Sequence, residues 1–362
     1  MAKVAMAIAR GEAGMSMSDF EKQIREADGQ IPERTKLEYL RLSLLSEIEL
    51  QDIKIETPKK YLGPIVEGSL GEIYGPRGIG KTFLKEAISL CLTRKMNLGP
   101  FKCENAAGVL IVDAEMPLHL LKDRQKELSR NVGKALRNLD TIANEQLYKS
   151  GSFPINLSDP TWRDSILELI ATENDRWDVI ILDNLSSLLP GIKENDKDAW
   201  GPINQFLLQL RWMGKAVIFI HHAGKSGDQR GTSGREDQLD FVLKLTLPAG
   251  HNPEEGCRFD ATLTKSRSLT GSEAQPFTFA IVSHPQGGLT WSITGQQEQK
   301  KNTIIALIGN GVAQKDVADI MSVGKSYVSQ VRTAAIQQGL LDAKGTGFTP
   351  AGKLKYGVSS VR

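Results

Sequence analysis

In the middle of the chain, short β-type runs alternate with longer helical stretches. The strand-like runs are Leu70–Tyr74, Gly108–Asp113, Asp178–Asp183 and Ala216–His221, and helical stretches begin near Lys81, Pro117, Pro160 and Ala199. Val109-Leu110-Ile111-Val112 and Val179-Ile180-Ile181-Leu182 show no polar alternation, which is the pattern of strands covered on both faces. Strand and helix in regular alternation predict a parallel α/β sheet. Further strand-like segments near Leu239–Leu247, Arg258–Lys265, Phe277–Val282 and Leu289–Ile293 have few helix signals between them. They are expected to extend the same sheet as antiparallel strands.

The two ends of the chain follow other patterns. Ser18 with Glu21 reads as a capping box, and Leu37, Leu40, Leu44, Leu45 and Ile48 recur at helical spacing, so two amphipathic helices are expected there. Their apolar stripe must pack on the main domain or on another subunit. Thr57–Pro64, with two prolines and two lysines, reads as a linker. After Gly295 a Gln-rich stretch leads into helix, then helices Gln314–Met321 and Lys325–Gln337 separated by Ser322-Val323-Gly324, the short turn of a helix-turn-helix. Leu340-Leu341 then leads through Lys344-Gly345-Thr346-Gly347-Phe348-Thr349 into a hairpin, which completes a winged-helix pattern. The expected division is a helical segment over 1–58, an α/β core over 59–295 and a winged helix over 296–362.

Composition narrows the class without naming it. The 362 residues are 40% hydrophobic and 24% charged, an ordinary globular balance. Net charge is +2, but Gln296–Arg362 carries 9 basic and 4 acidic residues, so this segment is +5 and the rest is −3. Cys91, Cys103 and Cys257 are too few and too scattered for a disulfide framework or a metal site, which points to a reducing cytoplasm. With no apolar run long enough to span a bilayer, no membrane partner is expected.

The clearest chemistry lies between the first strand and the first core helix. Gly75-Pro76-Arg77-Gly78-Ile79-Gly80-Lys81-Thr82 fits the phosphate-binding loop pattern at every fixed position, with Phe83 next on the helix. Its glycines let backbone N–H groups turn inward around a phosphate, the helix N-terminus adds positive charge, Lys81 reaches the terminal phosphates and Thr82 can ligate Mg²⁺. ATP and Mg²⁺ are therefore the expected cofactors. A second carboxylate is needed for the metal, and Asp183 closes a buried strand, where an unpaired carboxylate would be costly without a cation. Glu115, just past another buried strand, is the candidate to activate water, with Asp113 as its competitor. The strand ending in His221-His222 offers a polar side chain to sense the γ-phosphate. Alternation turns one histidine to the nucleotide and the other to the core, and His222 is the choice.

These elements resemble, in order and spacing, the RecA-type ATPase core of ring helicases: the P-loop, Ala114-Glu115-Met116-Pro117, Ile181-Leu182-Asp183-Asn184, His221-His222 before Arg230-Gly231-Thr232-Ser233, and Lys265-Ser266-Arg267. The likeness spans about Tyr61–Ile293 and is closest to RepA-type hexameric helicases of plasmids and mobile elements, more distant to the DnaB group. It implies a RecA-like P-loop core of α/β class with a mostly parallel sheet, flanked by the N-terminal helical segment and the C-terminal winged helix. It also implies a homo-oligomer, a hexamer by analogy. Arg230 matches the RepA-type arginine finger, whereas Lys265 and Arg267 match the DnaB-type pair that reaches the neighbouring site, and both assignments stay open. A finger supplied in trans makes hydrolysis depend on the subunit interface. Loops 186–197 and 223–234 would line the pore, where Lys193, Lys197 and Lys225 suit the phosphates of single-stranded DNA, although a solvated loop would carry the same residues.

The C-terminal segment resembles the DNA-binding domains of many small bacterial regulators. Ser326, Tyr327, Gln330 and Arg332 would lie on its recognition helix and Lys344 on its wing, facing duplex DNA, although winged helices also dock proteins. The expected function is an ATP-driven, ring-forming DNA helicase or translocase in replication of a plasmid, phage or other mobile element, with a primase, initiator or loader protein as a further partner. The alternative is an ATP-gated replication initiator or regulator that binds DNA without unwinding it. A RecA-like recombinase fits less well with a winged helix.

Overall fold

A computed structural model describes residues 35–173, 175–191, 197–223, 238–248 and 256–356. The chain divides into two compact units, residues 1–57 and 58–362. In the first, helices α1 (Lys36–Ser43) and α2 (Glu47–Asp52) each open on a capping box, Thr35 with Glu38 and Ser46 with Glu49. Neither helix buries a residue, and the stripe Leu37, Leu40, Leu44, Leu45 and Ile48 is more than half exposed throughout. The Ser18–Glu21 box lies outside the described residues.

The second unit opens on a small antiparallel pair, β1 (Lys60–Leu62) and β2 (Ile65–Val66), where a linker was expected. Tyr61 and Leu62 are buried in the main core, and that burial is what turns a Lys/Pro-rich stretch into structure. The chain continues through β3 (Leu70–Gly75), α3 (Lys81–Arg94), β4 (Val109–Asp113), α4 (Leu118–Ser129), β5 (Leu139–Ala143), α5 (Asn144–Lys149), α6 (Pro160–Thr172), β6 (Val179–Asp183), α7 (Leu185–Leu188), α8 (Lys197–Trp212), β7 (Ala216–His222), β8 (Phe241–Thr246), β9 (Arg258–Ser266), β10 (Phe277–Ser283) and β11 (Leu289–Gly295). Among the described residues these build a nine-stranded sheet in the order β11-β10-β9-β8-β3-β7-β6-β4-β5. The class is α/β with a mostly parallel sheet, as the alternating pattern implies. β3, β4, β6 and β7 are buried along their whole length, and their two faces supply two separate cores. Ile73, Val109 and Ile181 point into one and Leu70, Leu110 and Leu182 into the other, which is why the runs show no alternation.

Two strands depart from expectation. β8 is parallel to β3, not antiparallel, with Gly71 opposite Phe241; antiparallel pairing begins at β9. Asp240 fixes this start: its backbone N–H donates to Leu70 O at 2.7 Å and its carboxylate accepts from Leu70 N at 2.8 Å, so both strands leave the same sheet edge. β5 is an edge strand whose polar face carries Asp140, tied to Arg176 and Trp177, and such a half-polar strand gives little apolar signal.

After β11 the chain enters α9 (Gln296–Gly309) directly, then α10 (Gln314–Ile320) and α11 (Lys325–Gln337). A bridge joins Leu341 to Phe348 around a turn capped by Asp342, and α12 (Pro350–Tyr356) follows. These helices enclose a third core of Ile304, Ile308, Val317, Val328, Val331, Leu340 and Leu341, and α9 also packs on β10 and β11. No described helix is long and apolar enough to cross a membrane.

Candidate active site

Parallel strands end on one sheet edge, and register decides which side chains meet there. Gly75 lies beside His222, and Asp113 beside Asp183. Beyond Gly75 the loop turns through Gly78 (φ +75°) and Gly80 (φ +111°), conformations that favour glycine. A Cβ at Gly80 would also stand 2.2 Å from Cys257 Sγ. The loop delivers Lys81 and Thr82 to the first turn of α3, at the mouth of a cleft of about 220 Å³. Gly78, Gly80, Lys81, Thr82, Phe83, Glu115, Met116, Arg124, Asp183 and His222 line it. Gly75 and Ile79 are buried behind the loop and Arg77 is exposed on it.

Lys81 is buried, and its Nζ donates to Gly75 O at 2.9 Å and Pro76 O at 2.8 Å. Burial lowers its pKa to about 8, partly offset by Asp183 and Glu115. Glu115 is placed by Asp113, whose Oδ1 accepts from Glu115 N at 3.1 Å and Met116 N at 2.8 Å. The Glu115 side chain is half exposed to the cleft, and its Oε2 lies 3.9 Å from His222 Nε2. Between them sits Asn184, buried at the N-cap of α7, whose Nδ2 donates to Glu115 Oε2 and lies 3.1 Å from His222 Nε2. His221 points into the sheet interior and does not line the cleft.

Asp183 has a cation already. Lys85 Nζ, one turn after Lys81 and fully buried, lies 2.8 Å from Asp183 Oδ2 and 2.7 Å from Asp113 Oδ2. Burial pulls the Lys85 pKa down, but Asp183 and Asp113 together carry it above the ordinary lysine value. Burial also raises Asp183, against the pull of Lys85. The expectation that Asp183 needs a metal to be tolerated is therefore corrected, because a lysine serves that purpose. Asp113 is enclosed by this pair and by the Glu115 turn, outside the cleft, so it is not placed to act as a base. Thr82 and Asp183 still open on the same cleft, and two hard oxygen donors beside a phosphate loop suit Mg²⁺.

The remaining candidates lie elsewhere. β9 runs antiparallel, so Cys257, just before it, stands at the P-loop while Lys265 and Arg267 stand at the opposite sheet edge. There Arg267 lies 3.1 Å from Asp240, which also pairs with Arg211. Neither Lys265 nor Arg267 reaches this chain's own cleft. Arg230, Lys193 and Lys225 lie outside the described residues, and of Lys197 only its place at the start of α8 is described. On α11, Ser326 and Gln330 are exposed, but Tyr327 packs against the third core. Arg332 donates to Gly345 O at 3.0 Å and to Lys344 O, so it staples the turn at Asp342–Gly347 and does not face outward as expected. Lys344 is exposed on that turn.

The sequence profile of an AAA domain family, AAA_25, matches residues 34–228, more than half of the chain. The chain belongs to this AAA family. The matched span contains the P-loop, Glu115, Asp183 and His222, and it supports an ATPase. No curated protein matches the chain. Solved structures resembling this AAA chain include flagellar accessory protein FlaH from Methanocaldococcus jannaschii, at 17% identity and TM-score 0.42 over 64% of this chain and 92% of that one. The RadB recombinase stands at 17% and 0.42 over 62% and 91%, and a KaiC-like protein from Pyrococcus horikoshii OT3 at 18% and 0.41 over 63% and 91%.

Sequence reasoning passed over three residues in or next to the cleft of this AAA chain. Asn184 follows the expected metal carboxylate directly, and an amide at a strand end beside two candidate catalytic groups was the available signal. Lys85 stands four residues after Lys81, on the same helix face, and with Glu86 beside it forms a charged pair in the buried part of α3. Arg124, on α4, lies with its guanidinium 5.0 Å from the Phe83 ring centroid, and only the fold brings it to the cleft.

Proposed function

We propose that the protein is an ATP-hydrolysing, ring-forming DNA helicase or translocase that serves replication of a plasmid, phage or other mobile element. The observation that carries the ATPase is the convergence of Lys81, Thr82, Asp183, Glu115 and His222 on one cleft from four different sheet-end segments. The phosphate loop holds the nucleotide, with Lys81 leaving its two carbonyl partners for the terminal phosphates. Thr82 and Asp183 hold Mg²⁺, which when bound neutralises phosphate charge. Glu115 orients and deprotonates the attacking water, and Asn184 joins it to His222, so that loss of the γ-phosphate at His222 is felt at the base and at the start of the loop after β7.

The ring reading rests on the far-edge position of Lys265 and Arg267, which a neighbouring subunit's cleft would use and this chain's own cannot. Arg230 is the rival finger. Lys193, Lys197 and Lys225 would meet single-stranded DNA in the pore. Residues 296–362 act as a winged helix on duplex DNA, reading it with the exposed Ser326 and Gln330 and touching phosphate with Lys344; Tyr327 and Arg332 shape that surface from within. A primase, initiator or loader is the further partner.

ATPase measured with and without single-stranded DNA, alongside strand displacement on a forked duplex, tests this function. Stimulation with displacement is expected. Duplex binding that depends on ATP without displacement would replace the helicase by an initiator or regulator.

A further inference from the structure

A cluster of buried charge lies beneath the cleft, not in it. The Lys85 side chain has no exposed surface, and its ammonium touches both strand-end carboxylates, Asp113 at 2.7 Å and Asp183 at 2.8 Å. The two acids differ in what else they do. Asp183 opens on the cleft, while the second oxygen of Asp113 holds the backbone turn that carries Glu115. One ammonium thus reaches the metal position through Asp183 and the water-activating position through Asp113. Stability alone is a weak reason for such an arrangement, because a buried ion pair costs desolvation that its attraction only repays when geometry is close.

We propose that Lys85 is a positioning residue for the Mg²⁺–nucleotide site, a fixed internal cation that holds Asp183 before the metal arrives and sets how strongly the metal is bound. The charge count gives the sense of the effect. Glu86, buried with its Oε1 3.8 Å from the Lys85 ammonium, completes the cluster, and burial raises its pKa. Whatever charge Glu86 carries, Lys85 makes the cluster one unit less negative towards an incoming divalent ion than Asp113, Asp183 and Glu86 would be without it. At short range in a protected site, each unit of that charge weighs heavily on a divalent ion. The inference rests on the reading of Asp183 as a metal-holding residue.

Charge-altering variants test it through nucleotide binding, without turnover. Asp113→Asn keeps an amide oxygen for the Glu115 and Met116 N–H groups but removes one carboxylate from around Lys85, leaving Asp183 and Glu86, so the cluster is one unit less negative than in the wild type. A double variant, Lys85→Met with Asp113→Asn, returns the cluster to the wild-type net charge. The readout is the Mg²⁺ concentration that half-maximally tightens binding of a fluorescent ADP analogue. Asp113→Asn should need about tenfold more Mg²⁺ than the wild type, and the double variant should return to within about threefold of it. If Asp113→Asn needs the same Mg²⁺ or less, or if the double variant stays with it, Lys85 does not set metal affinity and the proposal is overturned. Should the wild type bind the analogue with no dependence on divalent ion, the metal-holding reading of Asp183 falls first and takes this inference with it.

Discussion

At the residue scale the cleft separates binding from hydrolysis. Lys81→Ala should abolish nucleotide binding, because it removes the charge that meets the terminal phosphates. Glu115→Gln should keep binding and lower turnover by about 10²–10⁴-fold, the usual size of a general-base contribution. Asn184→Ala should act in the same direction but less, roughly 10–100-fold in turnover at unchanged nucleotide affinity, since it frees the Glu115 carboxylate to leave its place. Equilibrium binding of a labelled nucleotide and single-turnover hydrolysis distinguish the three. Full turnover in Glu115→Gln would mean that another group is the base. The Lys81 pKa of about 8 adds a pH dependence. A buried cation whose pKa is depressed costs stability while protonated, so this contribution to folding improves as pH rises through about 8. Nucleotide binding runs the opposite way, because phosphate favours the ammonium. Above pH 8 binding should take up a proton and weaken with rising pH, which calorimetry in buffers of different ionisation enthalpy will show, and Lys81→Arg should flatten the dependence.

At the element scale, legibility follows burial. The continuous apolar strands β4 and β6 and the helices opened by Lys81 and Pro160 were readable because packing on both sheet faces demands their composition. β1 and β5 were not, since one sits in a Lys/Pro-rich stretch and the other exposes a polar face. The direction of β8 was hidden for another reason: it depends on Asp240 meeting Leu70, a contact 170 residues apart. In the C-terminal helices the boundaries Gln314 and Lys325–Gln337 were readable, but the direction of Arg332 was not, because helical spacing names a face and the Lys344–Gly345 turn decides what fills it. This yields a distinction between two basic residues. Arg332→Ala should lower the thermal stability of the C-terminal helices by about 1 kcal/mol by freeing the Lys344–Gly345 turn, leaving the salt slope of DNA binding nearly unchanged. Lys344→Ala should leave stability unchanged and reduce that slope by about one phosphate contact. Equal slopes in both variants and the wild type would favour protein docking over DNA at this surface.

At the scale of the whole molecule, the question is whether one chain contains a complete catalytic site. Its cleft gathers Lys81, Thr82, Glu115, Asp183 and His222, whereas of the residues proposed as a finger Lys265 and Arg267 stand at the far edge and Arg230 lies outside the described residues. Far-edge residues act on a nucleotide only where a second copy brings its own cleft to them, so the ring reading makes a prediction about mixtures. Lys81→Ala and the finger variant should each be inactive alone, the second through loss of about 10³–10⁵ in turnover if an arginine finger is removed. In a mixed ring some interfaces pair an intact Lys81 from one subunit with an intact finger from the other. Equal mixing should therefore restore about a quarter of the interfaces, and with them measurable ATPase, in a closed assembly with one type of heterologous contact. Doing this with Arg230→Ala and with Arg267→Ala in turn decides between the two positions, because only the variant that truly lacks the trans-acting group will be inactive alone and complemented by Lys81→Ala. If neither pair recovers activity although both variants assemble with the wild type, hydrolysis is completed within a single chain, and the dependence on a ring falls with it.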